Sequence, residues 1–171
     1  AIRIADGQAQ VIAERCIGCG NCVRVCSQKA KKVLDTTEAV KGLLKGSGPV
    51  SACLAPSFPA AFPKQDYRRL FGALKQIGFD YVHEVGFGAD LVAEAYRELF
   101  EKDYDTSYIA TSCPALVNYV VRYYPDLSHR LAPIVSPMEA TSIVLRHLYG
   151  EELKTVFIGP CISAKLHSGD F

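Results

Sequence analysis

The chain has 171 residues, enough for one ordinary domain or for a small module joined to a core of about 100–150 residues. A hydrophobic share of 49% against 22% charged residues describes a globular protein with a core to bury and argues against disorder. Nineteen Lys and Arg against eighteen Asp and Glu leave a net charge of +1, so charge gives no reason to expect nucleic acid or an anionic membrane as partner. In chain order, Ile2, Ile4 and then Val11, Ile12 flank Asp6-Gly7, a pattern that predicts a tight hairpin. Four of the seven cysteines come directly after it, at Cys16, Cys19, Cys22 and Cys26. A short helix is expected over Thr36–Lys45, ended by the turn cluster Gly46-Ser47-Gly48-Pro49, which is the best domain boundary and divides the chain into 1–46 and 47–171.

Beyond that boundary, strand-like runs at Val50–Ala55, Tyr81–Glu84, Tyr108–Ser112 and Thr155–Ile158 alternate with helical stretches at Gln65–Ile77, Gly88–Lys102, Pro114–Tyr124 and Ser136–Tyr149. Strand-helix alternation predicts an α/β fold, a mainly parallel sheet with flanking helices and right-handed crossovers. The most apolar stretch, Val50–Phe62, contains Pro56 and Pro59 and falls short of the roughly 20 residues a membrane helix needs. The opening Ala1-Ile2-Arg3-Ile4 has neither the basic nor the apolar part of a secretory signal. Seven cysteines, four of them at metal-ligand spacing, then point to a reducing, cytoplasmic setting rather than to disulfides.

Cys16, Cys19, Cys22 and Cys26 spell C-x2-C-x2-C-x3-C, with Ile17-Gly18 and Gly20-Asn21 between the first three. Short loops of small residues let three thiolates converge on one face of a 4Fe-4S cubane while backbone amides turn toward sulfur. Zinc is the rival, but zinc sites usually pair two C-x2-C knuckles across a longer insert, and this run fits the cubane better. The spacing resembles that of bacterial ferredoxins, so residues 1–46 are expected to be half of a ferredoxin-like α+β module. In two-cluster ferredoxins the fourth Cys of such a run ligates the other cluster, which assigns Cys26 to a second cubane. The opening Ala1-Ile2-Arg3-Ile4 resembles the segment between a first cysteine run and the connecting hairpin of those modules. The chain is therefore expected to be a piece of a longer polypeptide, with a missing N-terminal segment supplying the remaining ligands. Ser27 stands where many ferredoxins have Pro.

Ala55-Pro56-Ser57, Phe87-Gly88-Ala89-Asp90, Thr111-Ser112-Cys113-Pro114-Ala115, Tyr123-Tyr124-Pro125, Ser136-Pro137-Met138 and Gly159-Pro160-Cys161 occur in the order seen in iron-only hydrogenases, and in this the chain resembles that family over nearly its whole length. The resemblance implies that Cys113 and Cys161 bind the cubane of the active-site cluster and that Ser136 and Met138 line its pocket. Taken singly, a Cys at a strand end reads as a buried small hydrophobe. The shared motif order reads both as ligands, and Pro114 at a first helical position would set Cys113 at a helix N-terminus, where the dipole favours a thiolate. Two further cubane ligands of the family, and the 2Fe subsite bridged through one of them, are expected only in a full-length protein with a further C-terminal segment.

Departures from the family bear on activity. Ser112 replaces the proton-shuttling Cys, Ala164 stands where a Lys contacts the cyanide-bearing iron with Lys165 one position later, Gly159 replaces a Met, and His167 replaces an acidic residue. Ser112 and Lys165 are the candidate positions for a proton path or pocket contact. They favour a divergent subgroup that senses redox state or hydrogen over a fast hydrogen producer. The expected function is that of an iron–sulfur redox protein passing electrons through 4Fe-4S clusters to a hydrogenase-type cluster, with an electron donor or acceptor protein or domain as partner. The alternative is a non-catalytic relative resembling eukaryotic iron–sulfur assembly factors. Cys53, in an apolar strand, reads as a structural thiol, Gly86-Phe87-Gly88 lacks the third glycine of a dinucleotide loop, and the tyrosines of 119–124 sit at helical spacing and read as packing.

Overall fold

The structure is a computed structural model that describes residues 1–63 and 66–167. In chain order its elements are β1 (Ile2–Ala5), β2 (Gln8–Val11), α1 (Asn21–Arg24), α2 (Thr37–Lys45), β3 (Val50–Leu54), α3 (Phe58–Ala61), α4 (Tyr67–Ile77), β4 (Tyr81–Glu84), α5 (Val85–Lys102), α6 (Pro114–Tyr123), α7 (Pro137–Tyr149), β5 (Lys154–Ile158) and α8 (Ile162–His167), with 3-10 turns at Ala13–Arg15 and Pro125–Arg130. They fall into two compact units. One is built from three separate segments, Ala1–Val33, Ser107–Pro133 and the residues from Ile162 on; the other from Leu34–Thr106 and Ile134–Cys161.

In the three-segment unit, β1 and β2 pair antiparallel with Ile2 opposite Val11 and Ala5 opposite Gln8. Asp6 and Gly7, at φ 51° and 73°, form the expected two-residue turn, whose twist matches that of the strands only when both residues are left-handed. A ligand loop and α1 come next, and α6 and α8 are drawn from the two later segments.

The second unit holds a three-stranded sheet in the order β4-β3-β5, parallel throughout, with Ser51 paired to Tyr81 and Thr155. Parallel central strands are covered on both faces and read as continuous apolar runs, and β3 is buried along its whole length. Val50, Ala52 and Leu54 pack with Leu74 and Phe79 on one face, joined by Val40 and Leu44 of α2 and by Leu70 and Phe71 of α4. On the opposite face Cys53 packs with Val85, Leu145 and Leu153. The apolar side of α2 thus belongs to this sheet's core.

α7 opens on a capping box. Ser136 Oγ accepts from the Glu139 amide at 3.3 Å, and the Glu139 carboxylate accepts from the Ser136 amide at 2.7 Å. α5 begins at Val85, so Gly86 and Gly88 lie inside a helix rather than in a loop before one. The expected start of α4, Gln65, lies outside the described residues; the N-cap of this helix is Asp66, whose carboxylate accepts from the Arg68 amide at 2.9 Å.

One expected element is corrected. Tyr108–Ser112 is not a strand, and it forms only a single parallel bridge between Ile109 and Leu131. The Ile109 amide donates to Arg130 O at 2.7 Å and the Ala132 amide to Ile109 O at 2.9 Å. The Ala132 carbonyl, which would accept the next rung from the Thr111 amide, accepts from the Thr111 hydroxyl at 3.3 Å.

Candidate metal centre

The ligand loop begins where the Ala13–Arg15 turn ends. Cys16 caps that turn in extended conformation (φ −85°, ψ 121°), and its amide donates to Ala13 O at 3.1 Å. Gly18 and Gly20, at φ 78° and 72°, make the two left-handed reversals that fold the run back on itself, and Gly20 caps α1, which carries Cys22. Both glycines also allow close approach to α8. A Cβ at 18 would lie 3.1 Å from Leu166 Cδ1, and one at 20 would overlap the side chain of Ile162. Cys16, Cys22 and Cys26 are half-buried and Cys19 is exposed.

Cys26 turns toward the residues just C-terminal to it. Its Sγ accepts from the Ala30 amide at 3.3 Å, and Lys29 at φ 51° bends the chain back toward the sulfur. The Ala30 amide above all, with the amides of Lys31, Gln28 and Lys29, holds this thiol below its ordinary range against the opposing effect of burial. Amides gathered on a sulfur favour the thiolate that metal ligation requires. Among the described residues no three His, Cys, Asp or Glu side chains close at the spacing of a single metal ion. Tight glycine turns and amide-bonded sulfur suit a multinuclear iron–sulfur cluster. When bound, such a cluster supplies one-electron chemistry.

Cys113 is the N-cap of α6, with Pro114 buried at the first helical position, and its carbonyl accepts from Leu116 N at 3.0 Å and Val117 N at 3.1 Å. Cys113 and its neighbour Ser112 are exposed. Cys161 is exposed just before α8, beyond the Gly159-Pro160 that ends β5. Neither is the buried hydrophobe that a lone strand-end Cys suggests. Lys165 is exposed on α8, and the side chain of His167 lies outside those described. Ser136 is buried and engaged in the α7 cap, and Met138 packs against the Cys53 cluster.

Cys53 is only 2% exposed, and burial pushes its thiol up to about 11 from an ordinary 9.0. An acid kept neutral in the fold loses stability where the unfolded chain ionises first, so its contribution falls as pH rises from about 9 to about 11. At ~1.4 kcal/mol per unit the loss reaches ~2–3 kcal/mol. Denaturant unfolding of the iron-free chain across that window should show the decline, and Cys53→Ala should remove that part of it; equal slopes for both chains would refute the assignment.

Two residues that sequence reasoning passed over touch the ligand loop. Arg122 donates to Ala13 O at 2.5 Å, and the Tyr123 hydroxyl donates to Arg15 O at 2.7 Å. Their partners lie 109 and 108 positions away, so no local pattern announces them.

The fold and the loop define a cysteine-rich iron–sulfur protein, with a ferredoxin-type ligand run ahead of a parallel α/β domain. Residues 48–169 match the family described as iron only hydrogenase large subunit, C-terminal domain, and residues 9–32 match the 4Fe-4S binding domain. The chain belongs to the iron-only hydrogenase large-subunit family and carries a 4Fe-4S binding domain. It is 28% identical to Iron hydrogenase 1 of Clostridium pasteurianum over 70% of this chain and 23% of that protein. It is 25% identical to the Cytosolic Fe-S cluster assembly factor NAR1 of Yarrowia lipolytica over 94% of this chain and 37% of that one. With the NADP-reducing hydrogenase subunit HndD of Solidesulfovibrio fructosivorans it shares 23% identity over 88% of this chain and 30% of that one. The chain thus spans well under half the length of these relatives. Its fold matches that of apo [FeFe]-hydrogenase HydA1 from Chlamydomonas reinhardtii, variant C377H, with a TM-score of 0.63 at 20% identity, over 80% of this chain and 41% of that one.

Proposed function

We propose that this chain is the electron-entry part of a hydrogenase-type redox protein, in which Cys16, Cys19 and Cys22 hold one 4Fe-4S cubane, Cys26 serves a second, and Cys113 and Cys161 hold the cubane of the active-site cluster. The observation that carries this reading is the glycine-turned cysteine run with its amide-bonded Cys26, ahead of a domain of the hydrogenase family. Along the chain the ferredoxin-like half-module takes residues 1–46 and the hydrogenase-type domain 47–171, with α2 of the first stretch packed into the core of the second one's sheet. The partners of the intact protein are an electron donor or acceptor and the further segments of its own polypeptide that complete the ligand sets, and its setting is reducing and cytoplasmic. Among the described residues no helix is long and apolar enough to cross a membrane.

Within the family, hydrogen or redox sensing fits better than rapid turnover. Ser112 offers a weaker proton relay than a thiol, and Lys165 is displaced by one position from the expected lysine. At Gly159 a Cβ would lie 2.6 Å from Ala55 Cβ and 2.8 Å from the Phe157 ring, so the family's Met has no room there and the pocket wall differs. Similarity to the Yarrowia assembly factor over 94% of the chain favours a second reading, a non-catalytic iron–sulfur assembly protein.

Anaerobic reconstitution tests the shared core of both readings. The intact protein, in which further segments complete the ligand sets, should take up iron and sulfide in equal amounts and give a cubane EPR signal after dithionite, whereas a folded protein that takes up zinc alone would overturn it. In the intact, matured protein, carbonyl and cyanide infrared bands would favour hydrogen chemistry, and their absence would favour assembly.

A further inference from the structure

The turn that delivers the first ligand is held only in part by its own backbone, through Arg15 N to Ile12 O and Cys16 N to Ala13 O, both at 3.1 Å. Ala13–Arg15 is a single 3-10 turn with no side-chain cap, succeeded at once by Cys16 in extended conformation. Carbonyls at a helix end lack partners within the helix and must find them elsewhere. Here Arg15 O finds one on the last turn of α6, in the Tyr123 hydroxyl, and Ala13 O gains a second partner there in Arg122. Ala13 O also accepts from the Cys16 amide, so its two lone pairs are shared between the ligand's own backbone and the guanidinium. Arg15 O belongs to the peptide group that joins Arg15 to Cys16.

We propose that Arg122 and Tyr123 are the positioning residues for the cluster bound at Cys16: they latch the Ala13 and Arg15 carbonyls and so fix the direction in which the first thiolate points. This rests on the iron–sulfur reading of the ligand run. The latch holds the turn ahead of the loop while the glycine contacts hold the loop itself, with Gly18 on Leu166 and Gly20 on Ile162. The run thereby rests on α6 and α8 within one compact unit. Arg122 adds an electrostatic effect. A thiolate-ligated cubane is anionic and gains a further negative charge on reduction, so a nearby guanidinium favours the reduced state.

The test uses the intact protein, reconstituted anaerobically, with Tyr123→Phe, Arg122→Gln and Arg122→Lys. Losing one hydrogen bond of ordinary net strength, about 1 kcal/mol, should speed iron loss to a chelator roughly fivefold in Tyr123→Phe and in Arg122→Gln. Both should broaden the EPR signal of the reduced cluster, and Arg122→Gln should also shift the midpoint potential to more negative values. Arg122→Lys, which keeps a cationic donor, should recover most of both properties. Variants that lower only the thermal midpoint of the iron-free chain, with wild-type iron release, line shape and potential, overturn the latch while leaving the iron–sulfur reading intact. A wild-type intact protein that takes up no iron overturns both.

Discussion

In the intact protein, whose further segments complete the ligand sets, Cys19→Ala is expected to remove the cluster held by the first three cysteines, a loss of about four iron per chain, while Cys53→Ala keeps its iron. Both residues are cysteines, and their surroundings decide the difference. Cys19 lies exposed between the two left-handed glycines of the ligand loop, where a sulfur can reach a bound group without a desolvation penalty. Cys53 is sealed among Val85, Leu145 and Leu153, with its thiol held neutral. A thiolate is the form that ligates, and burial in apolar surroundings opposes it. Iron and sulfide analysis of the two variants beside wild type checks this. Retention of a full complement by Cys19→Ala would remove the C-x2-C-x2-C set as the ligand source, and loss of iron from Cys53→Ala would give Cys53 a part in binding.

Gly88→Ala is expected to destabilise the fold by ~2 kcal/mol, although an alanine in the middle of a helix ordinarily stabilises it by ~1 kcal/mol. A Cβ on Gly88 would overlap Pro137 O and Thr141 Oγ1, and it would lie 3.1 Å from Thr141 N. Neither oxygen yields easily. Thr141 Oγ1 already donates to Pro137 O at 2.8 Å, and the first turn of α7 is pinned by the Ser136–Glu139 capping box. Relief must come from separating α5 and α7, and overpacking of this kind costs ~1–3 kcal/mol or more beyond the helix-propensity gain. Gly86, two positions earlier on the same helix, meets nothing within 4 Å, so Gly86→Ala should be neutral or stabilising. At ~2–4 °C per kcal/mol for a chain of this size, thermal unfolding should separate the two by ~5 °C or more. Equal midpoints would show that the two helices do not approach as closely at Gly88.

Much of this is legible in the sequence, because the strongest signals are local. The hairpin announces itself through Asp6-Gly7 and flanking apolar residues, the central strand through the unbroken run at Val50–Leu54, and the ligand loop through cysteine spacing and glycines that need positive φ. Cys113 at the head of α6 is signalled by Pro114, which is suited to a first helical position. What is not legible depends on residues distant in the chain. Tyr108–Ser112 has the composition of a strand, but a strand needs a partner, and its described pairing is one bridge, beyond which the Thr111 hydroxyl takes the Ala132 carbonyl. Gly88 reads as the start of a helix, and only the position of α7 shows why that helix needs a glycine there. Tyr123 reads as one of several packing tyrosines until Arg15 O is found at the end of its hydroxyl.

The three-segment unit has a consequence for the order in which the protein is made. Its ligand loop is released from the ribosome well before α6, and the side chains that hold the Ala13–Arg15 turn are 109 and 108 positions further on. Closing so long a span costs entropy before any contact repays it. During synthesis the four thiols are therefore present, close in sequence and unsupported, for the whole time in which the intervening sheet strands are translated. A cell that loads iron onto this chain gains a better-ordered site by waiting until α6 has been released, and oxidants or stray metal ions meet the cysteines at their least protected before that moment.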